Sequence, residues 1–470
     1  MKIKVLQRDL SEHLPQKSGD PTPTHRNLNP LMHPFARARE RVRALNAAKM
    51  EKMFARPFVA SLEGHADQVE VLARKPDSLN VFTSASADGE IIVHDLPQRT
   101  QLLRIPNAHK NAVTGLTFAD ANRVLSCGID KFVRIWDIST LDQVQTSIEL
   151  DEEDGARAST SKAARPEPLA TFAGKAAFNT IDHHYEDALF ATGSNCVQIW
   201  DEEKSAAISN ITFASATETV KSIRFNASEP SVLASVGTDR SFTLYDIRTG
   251  KAERRIIMQA SFSMQANALS WSPTFPTSIL LASEDHNLYT YDIRSLASPS
   301  QIYKGHVAAV MSCDWSPTGT EFVSGGWDRT VQIWKEGMGH SPDVYHSKRM
   351  QRVLSTIYTA DARFVLSGSD DGNVRLWKAR ASDRLGVMDT REKAAMEYRD
   401  SLKARWKADK EVGKVLRSHH VPKPVYKAAK LKNTMLDARR VKEERRRAHT
   451  RAGASKPKAA RRSAVIVEQA

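Results

Sequence analysis

Histidine, serine and aspartate stand at the spacing of a base, a nucleophile and an orienting acid at His306, Ser324 and Asp328 of this 470-residue chain, and again at His109, Ser126 and Asp130. Either set would suit acyl transfer if its hydroxyl were activated. A catalytic constellation has no reason to recur at nearly the same internal spacing, so the repetition argues for a structural hydrogen-bond unit. The remaining reactive residues are sparse. Cys127, Cys196 and Cys313 have no second Cys or His at metal-site spacing and cannot build a disulfide framework, which reads as buried thiols in a reducing compartment. His419-His420 offers two imidazoles, short of the four ligands of a structural zinc. There is no P-loop, no glycine-rich nucleotide fingerprint and no non-repeating acid–base pair. The expectation is a non-enzyme with no metal, no cofactor and no small-molecule substrate.

The elements that position these residues repeat along the chain. Seven segments share one pattern, a small-residue step, an Asp, then alternating apolar residues ending in an aromatic: SASADGEIIVHD, SCGIDKFVRIWD, TGSNCVQIWD, SVGTDRSFTLYD, ASEDHNLYTYD, SGGWDRTVQIWK and SGSDDGNVRLWK. Their terminal positions are His94, Trp136, Trp200, Tyr245, Tyr291, Trp334 and Trp377, at intervals of 42, 64, 45, 46, 43 and 43. A period of about 40–45 residues with Gly-His near the start and Trp-Asp near the end is the signature of WD-repeat blades, each of four strands. The chain is therefore expected to be an all-β, seven-bladed WD40-type β-propeller over residues 58–377. The long interval adds about 20 residues, read as an acidic, Ser/Ala/Pro-rich loop inserted at 148–168. Ring closure is expected from Phe58–Leu62, which can supply the outer strand of the last blade and protect its edge.

The recurrent polar residues have a structural role in this reading. Asp88, Asp130, Asp239, Asp285, Asp328 and Asp371 precede the aromatic by six and sit in the tight turn between the second and third strands. Ser84, Ser126, Ser235, Ser324 and Ser367 lie four residues earlier. With His65, His109 and His306 and the indoles of Trp136, Trp334 and Trp377 they can form His–Asp–Ser–Trp chains that leave no buried polar group unpaired. The third segment departs from the pattern, with Ser194 in place of the turn Asp, and the third, fourth and fifth lack a Gly-His.

Charge divides the chain differently from its average. The formal net charge is +13, but residues 1–60 hold 12 basic and 5 acidic side chains, a net of +7, and residues 378–470 hold 27 and 11, a net of +16. Subtraction, 13 − 7 − 16, leaves −10 for residues 61–377. An acidic scaffold with two basic arms is the pattern of a protein whose ends meet a polyanion. The N-terminal arm, residues 1–57, is expected to hold a helix over Phe35–Phe54, stopped by Pro57. Ahead of it the segment from Gly19 to Thr24 reads as extended. The C-terminal arm, residues 378–470, is expected to hold a helix over 390–417, a break at His419 to Pro424, and a very basic helix over 425–449. Candidate contacts to RNA or acidic protein are Arg37, Arg41, Arg405, Lys407, Arg417, Lys423, Lys427, Lys430, Arg445, Arg446 and Arg447, with Trp406 and Tyr426 as aromatics that could stack on bases. The run ends in Lys456-Pro457-Lys458 and Arg461-Arg462, a pattern that also serves nuclear import. No stretch is long and apolar enough for a membrane helix, and the amino-terminal residues lack the apolar core of a signal peptide.

The two arms carry a resemblance that the repeats alone do not. RNLNPLMHPFARARERVRALNAAKMEKMFARPF before the first blade and YRDSLKARWKADKEVGKVLRSHHVPKPVYKAA after the last closely resemble the Sof-type WD-repeat family. The resemblance spans nearly the whole chain. It implies a nucleolar, non-catalytic component of the small-subunit processome, associated with U3 small nucleolar RNA, pre-ribosomal RNA and other processome proteins, and needed for processing toward 18S RNA. It also implies a second role, since animal relatives are regarded as substrate receptors of a cullin-4 ubiquitin ligase whose linker subunit recognises WD-x-Arg boxes. The nearest matches here are Tyr245-Asp246-Ile247-Arg248 and Tyr291-Asp292-Ile293-Arg294, with Tyr where the box has Trp; Arg248 and Arg294 are the corresponding adaptor contacts.

Overall fold

Alternating apolar and polar residues in each repeat make strands with two packable faces, and these strands assemble into seven antiparallel sheets arranged as a β-propeller. The computed structural model describes residues 33, 35–139, 167–211, 219–258, 265–451, 454–456 and 459–469. The inserted loop at 148–168 falls outside the described residues except for its last two positions, as does the segment Gly19 to Thr24. Each sheet begins with an inner strand, running in order Val69–Arg74, Val113–Phe118, Thr180–His183, Val220–Phe225, Ala266–Trp271, Val310–Trp315 and Val353–Tyr358. The ring closes as its sequence requires: Phe58–Leu62 pairs antiparallel with Val374–Lys378, placing Phe58 opposite Trp377 and Leu62 opposite Val374.

The core is distributed between blades. One buried cluster joins Ile91, Val93 and Ile105 of blade 1 to Leu116, Val124 and Trp136 of blade 2, and the closing blade joins the first through Leu62, Leu366 and Leu376 against Leu72 and Phe82. Polar side chains on the inner strands add links that sequence reasoning missed. Asp182 accepts from the Phe225 amide at 2.7 Å and pairs with Arg224 at 3.0 Å, and Asp314 accepts from the Tyr358 amide at 2.9 Å. Each carboxylate thus holds the inner strand of the next blade. Burial raises the Asp182 carboxyl above its ordinary pKa while Arg224 opposes that shift.

The turn aspartates have a job more general than the histidine chain. The residue after each is in the left-handed region: Gly89, Lys131, Arg240, His286, Arg329 and Gly372, with φ between 62° and 85°. Glycine adopts this at no steric cost, but a side chain does not. In five of the six turns the carboxylate accepts the amide N–H two residues on, as from Phe132 to Asp130 at 3.2 Å and from Thr330 to Asp328 at 3.1 Å. This local bond stabilises the strained turn.

Among the described residues the full His–Asp–Ser–Trp chain is present in two blades only. In blade 2 His109 bonds Asp130 at 2.9 Å and Ser126 at 2.7 Å, and the Trp136 indole donates to Ser126 at 2.9 Å. In blade 6 His306 bonds Asp328 at 2.9 Å and Ser324 at 2.7 Å, and Trp334 donates to Ser324 at 2.7 Å. Elsewhere the expected chain is replaced. Asp239 pairs with Arg255 in blade 4, which has no Gly-His, and Asp371 pairs with Arg375 in blade 7; Trp377 keeps its bond to Ser367 at 2.8 Å. Asp285 accepts from the Tyr289 hydroxyl. Blade 1 keeps His65 on Ser84 at 2.7 Å, but Asp88 is exposed and does not reach the imidazole, and the nearest carboxylate is Glu90 at 3.9 Å.

His94 fills the tryptophan position of blade 1. It stacks on Phe82 with centroids 4.8 Å apart and shares Ser84 at 2.8 Å, as Trp334 stacks on Phe322 and donates to Ser324 in blade 6. Burial, helped by His65, lowers its pKa to about 3. Its folded pKa is below its unfolded one, so protonation favours the unfolded chain. Its contribution is fully present above about pH 6.5 and is lost progressively toward pH 3, by about 2 kcal/mol between pH 7 and pH 5. Urea unfolding of His94→Trp at both pH values should show a pH-dependent loss smaller by about that amount than in the wild type; an unchanged difference would refute this role for His94.

Candidate interaction surfaces

The arms do not form two separate domains. Residues 1–57 and 380–419 make one compact unit, and residues 58–379 make another with 420–470. The division drawn from sequence at 1–57, 58–377 and 378–470 thus crosses the observed units, because helices distant in sequence share one small core.

In the first unit, α1 is Ala36–Phe54, α2 is Thr390–Arg405 and α3 is Lys410–Leu416. The helix expected over 390–417 is interrupted at Trp406–Asp409. Asp389 caps α2 by accepting from the Thr390 amide at 2.8 Å, with Glu392 in its first turn and Lys403 and Arg405 in its last, charges that complement the helix dipole. Ala44 and Ala48, one turn apart on α1, allow close approach to Leu402 and Val412, with Leu45, Trp406, Val415 and Leu416 around them. None of the three helices has an apolar face wide enough to stand alone.

Charges in this unit face one another. Arg41 pairs with Asp409 at 3.1 Å and Glu411 at 3.0 Å, and the Asp409 bond raises its already high pKa. Arg405 pairs with Glu40, Lys403 with Glu51 at 2.5 Å, and Arg380 with Asp400 at 3.1 Å. Arg37 lies over the Trp406 ring, 5.9 Å from its centroid. Three of the candidate contacts, Arg37, Arg41 and Arg405, are therefore engaged inside the unit. Lys407 and Arg417 are exposed, and Arg417 also donates to the Gly413 carbonyl at 3.0 Å.

The second unit carries the long basic helix, α4, Lys423–Ala448. Pro424 near its start fixes φ without removing a bond the helix needs. No described residue of α4 is buried, yet the helix is held at two points. His420 stacks on His346 with centroids 5.2 Å apart, and Lys432 donates to the His306 carbonyl at 3.2 Å, beside the blade-6 histidine chain. Burial lowers the Lys432 pKa. Among the described residues Lys423, Lys427, Lys430, Arg445 and Arg446 make no ion pair, whereas Arg447 pairs with Glu443 at 3.1 Å. Beyond α4, Val465–Gln469 adds a fifth strand to blade 4 by pairing with Lys251–Met258, the eight-residue outer strand of that blade. The β-branched run Val465-Ile466-Val467 was the sequence signal for it, overlooked beside the surrounding charge.

Arg248 and Arg294 occupy equivalent places after the third strands of adjacent blades 4 and 5. Their side chains are 81% and 73% exposed, and each amide donates to the aspartate two residues back, at 2.9 Å and 3.0 Å. Cys127 and Cys313 are buried; burial pushes the Cys127 thiol up to about 12, an inert thiol. Among the described residues one group has metal-ligand proximity, His65, Asp88 and Glu90, and there the Arg104 guanidinium already occupies Glu90. No described helix is long and apolar enough to cross a membrane.

Residues 379–465 match the Sof1-like domain, and residues 100–137, 297–335 and 339–378 match the WD domain, G-beta repeat. Protein SOF1 of Saccharomyces cerevisiae is 39% identical over 463 residues, covering 95% of this chain and 91% of that protein. DDB1- and CUL4-associated factor 13 of Danio rerio is 39% identical over 455 residues, and the Homo sapiens protein of the same name 36% over 454; each match covers 96% of both chains.

Because α2 and α3 share their core with α1, removal of residues 1–57 should unfold them locally. Hydrogen exchange of the 58–470 chain is expected to lose amide protection at 390–416 with little change in the blades. Retained protection there would show that the C-terminal helices hold themselves.

Proposed function

This chain belongs to the Sof1-like WD-repeat family, and on that premise we propose that it is a non-catalytic assembly factor of the small-subunit processome, acting in the nucleolus on the processing of pre-ribosomal RNA toward 18S RNA. The observation that carries the reading is α4. Its 26 residues hold ten basic and three acidic side chains, a net of +7, and Lys423, Lys427, Lys430, Arg445 and Arg446 make no ion pair among the described residues. Cations left unpaired in this density release counterions when they meet phosphates, which supplies salt-sensitive affinity for RNA. The acidic propeller repels the same polyanion and leaves its faces to proteins. U3 small nucleolar RNA, pre-ribosomal RNA and neighbouring processome proteins are the partners this reading names.

A second reading rests on Arg248 and Arg294, which present the same exposed Asp-x-Arg bracket on adjacent blades. The animal relatives are named for association with DDB1 and CUL4; in this reading the chain is a substrate receptor that docks on the ligase's linker subunit through the two arginines.

Two experiments separate these roles. Reversing Lys423, Lys427, Lys430, Arg445 and Arg446 to Glu should abolish co-sedimentation with pre-ribosomal particles at about 0.2 M salt while the propeller keeps its thermal transition; sedimentation like the wild type would overturn the first reading. Arg248→Glu with Arg294→Glu should abolish capture of the linker subunit, and capture unaffected by both changes, or none by the wild type, would overturn the second.

A further inference from the structure

The face of α4 that meets the rest of its unit is settled by contacts. Lys432 bonds the His306 carbonyl, and Val425, Ala428 and Ala429 are half-buried beside it. At about 100° per residue, Lys423, Tyr426, Lys427 and Lys430 fall within an arc of about 100° centred opposite that face. All four are exposed, Tyr426 by 61%. The aromatic therefore stands in open solvent amid three cations without ion pairs.

The two aromatics of the C-terminal arm separate on this point. Trp406 has Arg37 over its ring and packs against the core of the helical unit, so its ring is already engaged. Tyr426 has no aromatic or cation–π contact among the described residues. Its neighbours at three and four residues, Lys423, Lys427 and Lys430, lie within about 5–6 Å between Cβ atoms. From Lys423 to Lys430 the helix rises about 10 Å, the length of about three phosphates of a stacked strand. A duplex would meet the lysines but would offer no base to the ring, since its bases are stacked inside.

We propose that Lys423, Tyr426, Lys427 and Lys430 form a binding platform for single-stranded RNA, with Tyr426 stacking on one unpaired base and the lysines holding the phosphates that flank it. The proposal rests on the RNA-binding reading of α4 and specifies the form of RNA that this part of the helix takes.

The test is fluorescence anisotropy of the full-length protein with labelled oligouridine and with an RNA duplex of equal length. Tyr426→Ala is expected to weaken oligouridine binding about tenfold or more and to leave duplex binding unchanged, while Tyr426→Phe, which keeps the ring, binds as the wild type does. The double change Lys427→Ala and Lys430→Ala is expected to reduce the slope of log affinity against log salt by about 1.4 for the single strand, a slope that Tyr426→Ala does not alter. Equal oligouridine binding by Tyr426→Ala and the wild type, with RNA binding otherwise intact, overturns the platform and leaves the broader reading standing. Wild-type protein that binds neither RNA overturns both, and capture of an acidic peptide in place of RNA assigns the helix to a protein partner.

Discussion

The pairing of Phe58–Leu62 with Val374–Lys378 is the constraint on which the rest of the molecule depends. Each blade buries its apolar face only against the next, so an unclosed array would leave two blades with one exposed side and one strand edge unpaired. Within the helical unit the Arg56 amide bonds the Ala381 carbonyl at 3.1 Å. That proximity is what lets a helix near residue 40 share a core with helices near residues 400 and 412.

Charge is handled in two ways by two sets of helices of similar composition. In the helical unit Arg41, Lys403 and Arg405 find Asp409, Glu51 and Glu40, and Arg37 finds the Trp406 ring. Individual exposed pairs contribute little, typically 0–1 kcal/mol, but together with the Ala44, Ala48, Leu402 and Val412 contacts they define how three short helices associate. On α4 most cations have no such partner, and the helix touches its unit through Lys432 and the stack at its start. The first arrangement uses basic residues for cohesion. The second leaves them available to an external anion.

The repeats show that one sequence pattern can be satisfied by different chemistry. Each turn aspartate precedes a left-handed residue, and in five of the six turns its Asx bond is local to that turn. The carboxylate also takes whichever partner the blade supplies: His109 in blade 2, His306 in blade 6, Arg255 in blade 4, Arg375 in blade 7 and Tyr289 in blade 5. The apparent hydrolase triad is one solution among these.

Seven blades, the closing strand, the turn aspartates and the Ser–Trp bonds were all legible in the sequence, because each follows from a local period: residues that face the same neighbour recur at fixed spacing. The helices of the arms were legible within a few residues for the same reason. Three features were not. Local pattern does not say that Arg41 meets a carboxylate 368 positions away, that Val465–Gln469 returns to the edge of blade 4, or that Asp88 turns outward while Asp130 turns in. The sequence by itself determined a ring of blades with basic ends. Only the tertiary structure decided which of those basic side chains are neutralised inside the protein and which face outward, because long-range contacts choose the partners and the charge pattern alone does not.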